Sequence, residues 1–231
     1  MFRKGIALCL ALAIVGGAAS LWAQEQAVDR MVSERFVVKI APSAILKTLA
    51  VSPDSRQVAY AATSGSKVLV VVDGKEGKAY DGIAEGAPVF SPDSQHVAYV
   101  AKSGSKQVVV VDGKEGKFYE GIGTPVFSPD SQRVAYAAKA GSKWSVVVDG
   151  KEGKAYDNIG EGTLVFSPDG RHVAYAARSG SKRFVVVDGK EGKAYARFLK
   201  GSRIVFDSPD SLHYLAVKDG RNVYLVEEKL K

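Results

Sequence analysis

Two short motifs recur along this chain at nearly constant spacing, and this repetition limits the possible folds more than any other feature of the sequence. Ser-Pro-Asp begins at five positions, which are Ser52, Ser91, Ser128, Ser167 and Ser208. The hexapeptide DGKEGK begins at Asp73, Asp112, Asp149 and Asp188. Successive copies lie 37 to 41 residues apart and the two motifs move together, so the chain repeats one module of roughly 39 residues.

Each module contains four short apolar segments that are separated by turn signals. In the third module these segments are TPVF, RVAYAA, WSVVVDG and KAYDNI. Their length is typical of strands, and none has the spacing of an amphipathic helix. Segments such as VAYAA are apolar on both faces, which predicts sheets that are packed between other sheets. A four-stranded module of this length with two buried faces is typical of a β-propeller blade.

Both repeated motifs are predicted to form turns. Ser, Pro and Asp suit successive positions of a type I turn. In DGKEGK we predict a three-residue hairpin turn, in which Lys75 and Glu76 form the centre and Gly77 is left-handed. The same positive φ is expected at Gly116, Gly153 and Gly192. This interpretation accounts for the glycines but leaves the repetition of Lys and Glu unexplained.

The string VFSPDSQRVAYAAK, followed by VVVDGKEGK, resembles the Pro-Asp repeats of TolB-type, WD-repeat-like bacterial β-propellers. The resemblance covers residues 44–227 and rests on aromatic-Ser-Pro-Asp, a Val-Ala-aromatic strand and an apolar strand that ends in Asp. It implies the propeller fold, which serves many functions. Family members include exported binding scaffolds and domains attached to hydrolases. The family's usual turn after the apolar strand is replaced here by DGKEG, so no particular partner is implied.

We therefore predict an all-β chain with a single β-propeller at residues 34–231, with five blades of four antiparallel strands. The fifth module lacks its fourth strand. The strand-like segment Glu34–Ile40 is expected to pair with Asn222–Glu228, which would close the ring and leave no open edge. Because RFVV also resembles a third strand, a ring with an extra partial blade is the alternative.

Residues 1–23 have the order of an export signal, with Arg3 and Lys4, then an apolar stretch, then small residues before Gln24. An uncleaved membrane anchor is the alternative, because Gly5–Ala23 carries no charge over 19 residues. Residues 24–33 are expected to be flexible. The only cysteine, Cys9, lies within the signal, so the mature chain would contain no thiol. We predict a periplasmic or secreted protein.

The sequence contains no recognisable catalytic, cofactor or metal signature. His96, His172 and His213 occupy one module position on separate blades, so we expect surface polar residues rather than metal ligands. Gly77-Lys78 lacks the preceding glycine and following Ser or Thr of a phosphate loop. The net charge is +7, but the lysines lie in turns, often beside Glu, which does not favour nucleic-acid binding. No cofactor and a monomeric state are expected.

The predicted function is that of an exported, non-enzymatic scaffold that binds a protein or a ligand. Both turn motifs should lie at one end of the sheets, and an envelope protein or ligand is expected to dock there on Lys75, Glu76, Lys114, Glu115, Lys151, Glu152, Lys190 and Glu191. The alternatives are an enzyme with a site at the propeller channel and a cell-envelope polysaccharide binder. The innermost strands APVF, TPVF, TLVF and RIVF are apolar, which argues against the enzyme.

Overall fold

A computed structural model of the protein describes residues 31–86, 88–199, 201–218 and 220–231. The predicted signal segment and most of the predicted flexible segment lie outside these ranges. Apart from one short 3-10 helix, Leu46–Thr48, the regular structure of the described residues is entirely β. None of the helical structure in the described ranges has the length and hydropathy that a bilayer-crossing helix requires.

The strands form five antiparallel sheets, one for each module, which we call blades 1 to 5. Blade 1 contains β1 Ala50–Val51, β2 Val58–Ser64, β3 Lys67–Val72 and β4 Lys75–Glu76. Blade 2 contains β5 Gly82–Ile83, β6 Val89–Phe90, β7 Val97–Ser103, β8 Lys106–Val111 and β9 Lys114–Tyr119. Blade 3 contains β10 Gly121–Ile122, β11 Val126–Phe127, β12 Val134–Ala140, β13 Lys143–Val148 and β14 Lys151–Glu152. Blade 4 contains β15 Asn158–Ile159, β16 Val165–Phe166, β17 Val173–Ser179, β18 Lys182–Val187 and β19 Lys190–Glu191. Blade 5 contains β20 Arg197–Phe198, β21 Val205–Ser208, β22 Ser211–Lys218 and β23 Asn222–Lys229.

Blades 2 to 4 are four-stranded even though each contains five strand pieces. Their first two pieces, such as β5 and β6, pair with the same neighbouring strand and together form one interrupted inner strand. The fourth strand of blades 1, 3 and 4 continues beyond its two-residue piece through a bridge to a tyrosine, as in Val68–Tyr80. In blades 1 to 4 these sheets confirm the predicted four antiparallel strands.

Neighbouring blades pack face to face through aliphatic and tyrosine side chains. Ala59 and Val70 of blade 1 belong to one apolar cluster with Tyr99 and Val108 of blade 2. Three further clusters join blades 2 and 3, blades 3 and 4, and blades 4 and 5. Burial between sheets is the reason why the strands are apolar on both faces. The structure therefore confirms the all-β propeller class.

The three-residue turn that we predicted at DGKEGK is wrong. Asp73 and Gly74 have φ values of 48° and 80°, and Val72 pairs directly with Lys75. These values indicate a two-residue Asp-Gly turn of the type that matches the twist of a hairpin. The Asp73 carboxylate supports it by accepting a hydrogen bond from the Val58 amide at 2.9 Å. Gly77 is favoured for a different reason, which is that a side chain has little room there. A Cβ at this position would lie 3.1 Å from the Val70 carbonyl oxygen.

The predicted pairing of Glu34–Ile40 with Asn222–Glu228 is absent from the described structure, as is an extra partial blade. In blade 5, β20 and β21 both pair with β22 and form one interrupted inner strand, so β23 is the third and last strand of this blade. It pairs only with β22 in the described part of the chain. The N-terminal segment lies on blade 1 instead, where the Ala41 amide donates to the Tyr60 hydroxyl at 3.2 Å. Ala41 and Ala44 cover apolar side chains of that blade, and this burial explains the position of the segment.

Candidate functional site

The Ser-Pro-Asp turns and the Asp-Gly turns lie at the same end of the blades, and we call this end the Asp-Gly face. In blade 2, the Asp112 carboxylate accepts from the Val97 amide at 3.0 Å and lies 2.7 Å from His96 Nδ1. Because Val97 and His96 follow the Ser-Pro-Asp turn directly, the two motifs are in contact. Blade 4 repeats this arrangement with Asp188 and His172. The predicted placement of both motifs on one face is confirmed.

The Ser-Pro-Asp turns of blades 1 to 4 are stabilised internally, and those of blades 1 and 2 are also tied to the next blade. The buried Ser91 hydroxyl donates to Asp93 Oδ1 at 2.5 Å and accepts from the His96 amide at 2.9 Å. The Ser91 hydrogen bond lowers the pKa of the Asp93 carboxyl. The Asp93 amide donates to Ser131 Oγ of blade 3 at 3.0 Å. The motif is therefore explained by the fold without any ligand.

The three histidines do not converge. His96, His172 and His213 contact Asp112, Asp188 and Asp207 respectively, each within its own blade. Among the described residues there is no group of three or more His, Cys, Asp or Glu side chains that could hold a metal ion.

The glutamate and the second lysine of the hexapeptide form bridges between neighbouring blades. Lys117 Nζ lies 2.6 Å from Glu152 Oε1, and the Tyr119 hydroxyl donates to the same oxygen at 2.8 Å. Lys117 Nζ also lies 5.5 Å from the centre of the Tyr119 ring. The corresponding bridges are Lys78–Glu115 at 2.9 Å and Lys154–Glu191 at 2.7 Å. Glu115, Glu152 and Glu191 are thus structural contacts as well as predicted site residues.

These bridges fix the protonation states of their members. The hydrogen bond from Lys117 keeps the pKa of the Glu152 carboxyl below its ordinary value, with a smaller contribution from Tyr119. Burial raises the pKa of the Tyr119 phenol, and the neighbouring Glu152 raises it further. At neutral pH the carboxylate is therefore charged and accepts, while the phenol is protonated and donates.

The first lysine of each hexapeptide has a different environment. Lys75, Lys114, Lys151 and Lys190 are exposed at the start of the fourth strand of their blades. In the part of the chain that the structure describes, none has a carboxylate oxygen within 4.0 Å. They form a row of four cations, one for each of blades 1 to 4, on the outer rim of the Asp-Gly face. We call them the rim lysines.

A groove between blades 3 and 4 adjoins this row. Its volume is about 430 Å³, and its lining includes Lys151, Glu152, Arg133 and Arg171. The Arg133 guanidinium is held by Asp149 at 3.0 Å and by the Arg171 carbonyl at 2.8 Å. Two predicted site residues therefore share a groove with two arginines and Asp188, so its lining carries charges of both signs.

The sequence analysis missed a second cleft, which lies where the inner strands of blades 2 to 4 are interrupted. Its volume is about 610 Å³, and its lining includes Trp144, Thr124, Asn158, Glu85 and Glu161. The Glu-Gly pairs at residues 85–86 and 161–162, just before the innermost apolar strands, could have indicated it. The innermost strands that follow these pairs are apolar and do not indicate a cleft.

Comparison with known proteins found similarity among solved structures, whereas no family model and no curated protein sequence matches the chain. TolB from Acinetobacter baumannii is 16% identical over 79% of this chain and 51% of its own, with a TM-score of 0.44. A putative TolB from Agrobacterium tumefaciens is 13% identical over 79% and 76%, with a TM-score of 0.42. The β-propeller domain of the Trilobed protease from Pyrococcus furiosus is 12% identical over 81% and 68%, with a TM-score of 0.43. The chain spans about half the length of the Acinetobacter TolB, and this similarity concerns the fold alone.

Proposed function

We propose that the protein is an exported, non-enzymatic β-propeller scaffold that binds an acidic protein of the cell envelope along the rim lysines. The observation that supports this proposal is the contrast between the two lysines of the hexapeptide. The second lysine is explained in three copies by its bridge to the next blade. The first lysine is repeated in all four copies without a counterion within 4.0 Å in the described residues.

An acidic protein fits this row better than a neutral polysaccharide does. Sugar rings bind to exposed aromatic faces, but the tyrosines next to the rim are covered by the bridges. Tyr80, Tyr119 and Tyr156 are only 4%, 2% and 1% exposed. The rim lysines are accessible cations, which attract carboxylates and increase the rate of encounter at low salt.

The test compares two variants with the same change in net charge. In the first, Lys75, Lys114, Lys151 and Lys190 are replaced by Gln. In the second, the same replacement is made at Lys102, Lys106, Lys139 and Lys182, which lie at the opposite end of the blades. A partner is recovered from envelope extract with the parent protein, and its affinity for all three proteins is then measured at low and high salt.

We expect the rim variant to bind at least about tenfold more weakly, and the control variant to bind like the parent. The affinity of the parent should fall as salt rises, because exposed charges are screened. Equal binding by the rim variant and the parent would contradict the proposal. So would an equal loss in both variants, because this would indicate attraction by net charge alone.

The second candidate is an enzyme with its site in the cleft of blades 2 to 4. The observation that favours it is the presence of two carboxylates, Glu85 and Glu161, in a cleft beside Trp144. Paired carboxylates are a common general acid and base in hydrolysis. Replacement of both by Gln should then abolish a hydrolytic activity of the parent without lowering its melting temperature. The scaffold proposal expects no such activity in the parent.

A further inference from the structure

The N-terminal segment at residues 36–41 lies where the fourth strand of a preceding blade would lie. In blades 1 to 4 that strand ends in a tyrosine that packs on the tyrosine of the next blade, as Tyr119 packs on Tyr136. Tyr60 is the corresponding tyrosine of blade 1, and the Ala41 amide donates to its hydroxyl. Val38 Cγ2 lies 3.4 Å from the place where a Cβ would stand on Gly74, so the segment also reaches the Asp-Gly turn of blade 1.

The spacing of charged residues also places residues 36–41 at the position of a fourth strand. The bridges Lys78–Glu115 and Lys154–Glu191 each join residues 37 positions apart. Lys39 and Glu76 are also 37 positions apart, and both line one small cleft of about 180 Å³ on blade 1. Lys39 therefore corresponds in position to the second hexapeptide lysine, and residues 36–41, although they are not a strand in the described structure, occupy the place of a fourth strand.

Blade 5 has the complementary defect, because it contains an inner strand, β22 and β23 but no fourth strand. Its outer face is apolar and uncovered, with Val205, Val223 and Leu225 exposed by 41%, 50% and 60%. In blade 4, Val165, Val185 and Val187 belong to the cluster that packs against blade 5. The open edge of β23 is also a template for a further strand.

We propose that residues 36–41 of one copy of this chain complete blade 5 of a second copy. Completion within one molecule would bring blade 5 against blade 1, but no apolar cluster joins these two blades in the described residues. Phe36, Val37 and Ile40 are exposed by 80%, 44% and 39% although they are apolar, so the segment has side chains available for a second surface. The segment of the first copy pairs with β23 of the second copy. Blade 5 of the second copy then covers this segment where it lies on blade 1 of the first copy.

Reciprocal exchange of this kind gives a closed dimer, whereas exchange in one direction gives a longer array. Either assembly replaces the monomer expected from the sequence. The inference does not depend on the rim lysines, which lie on blades 1 to 4.

The test uses the full chain with Cys9→Ser as background, so that every disulfide involves an introduced cysteine. One pool carries Phe36→Cys or Val37→Cys, and a second pool with a different tag carries Tyr224→Cys or Leu225→Cys. The adjacent positions cover both faces of the added strand. After mixing and oxidation, we expect a disulfide-linked product that carries both tags. The control pool carries Val51→Cys, which is 54% exposed on the inner strand of blade 1.

Sedimentation gives an independent measurement. The parent should sediment as a dimer or larger, and Leu225→Lys should shift it to the monomer while it keeps its β-type circular dichroism. A product with both tags in none of the four pairings would overturn the proposal. A third protein carries Val37→Cys and Leu225→Cys in the same chain, and a disulfide that forms only within this chain, and not between the pools, would also overturn the proposal because it means closure within one molecule. Sedimentation of the parent protein as a monomer would likewise overturn the proposal.

Discussion

At the scale of single residues, the two glycines of the hexapeptide have different roles. Gly150 has a φ of 78° with open space around its Cβ position, so only backbone conformation restricts it. Gly153 lacks a positive φ, but a Cβ there would lie 3.2 Å from the Val146 carbonyl oxygen. The sequence led us to expect the positive φ at Gly153 instead of Gly150. It could not assign these roles, because Asp-Gly and Lys-Glu-Gly are both acceptable hairpin turns.

Substitution of Gly150 tests this assignment. Gly150→Ala should lower the free energy of unfolding by about 1–2 kcal/mol, because an L-residue is strained in the left-handed region. Gly150→Asn should cost less, because Asn tolerates this region better than Ala. Urea denaturation of the two variants and the parent measures both values. Equal losses for Ala and Asn would show that strain at this turn is not the cause.

At the scale of elements, the bridges between fourth strands make stability depend on pH. Bonds from Lys78, Lys117 and Lys154 keep the pKa values of three glutamates below their ordinary 4.5 in the folded protein. A carboxyl whose pKa is lower in the folded than in the unfolded state stabilises the fold fully above its unfolded pKa. This contribution is lost as the pH falls through the folded value.

Replacement of Glu115, Glu152 and Glu191 by Gln should therefore reduce the loss of stability on acidification from neutral pH to about pH 4. The control replaces Glu85, Glu161 and Glu227, whose carboxylates accept no hydrogen bond in the described structure. The measurement is the urea midpoint at both pH values. If both triple variants lose as much stability on acidification as the parent does, the bridges do not contribute to the pH dependence of stability. Exchange of Lys and Glu within the hexapeptides should be destabilising, because it places like charges in these bridges.

At the scale of the whole molecule, repetition made most of the fold predictable. The five copies of Ser-Pro-Asp predicted the number of blades. Strands that are apolar on both faces predicted that each sheet packs against neighbouring sheets. Closure was not predictable, because strand-like residues at 34–40 show that a strand can form but not which edge it joins. The rim was predictable only as a set of eight residues. Whether a hexapeptide side chain forms a bridge or stays exposed depends on which side chain of the next blade lies opposite it. A single sequence does not contain the distances between side chains of neighbouring blades.

An array whose ends are not joined within one chain should tolerate the loss of an internal module. Deletion of residues 112–148 joins Val111 to Asp149 and leaves an intact hexapeptide at the junction. Lys78 then precedes Glu152 by 37 positions, which is the offset of the Lys78–Glu115 bridge that it replaces. Because equivalent apolar faces meet at the new interface, stability should change by about the contribution of one blade and its contacts.

We expect the shortened chain to unfold cooperatively with the same β-type circular dichroism, at a moderately lower temperature. A ring closed within one molecule behaves differently, because the loss of one blade changes the angle that every remaining interface must span. The control deletes residues 124–142, which removes β11 and β12 and leaves a partial blade. This control should aggregate, because it exposes apolar faces that no neighbour can cover. If the complete-module deletion aggregates as readily as the partial one, the interfaces between blades are not interchangeable and the array does not behave as a chain of equivalent units.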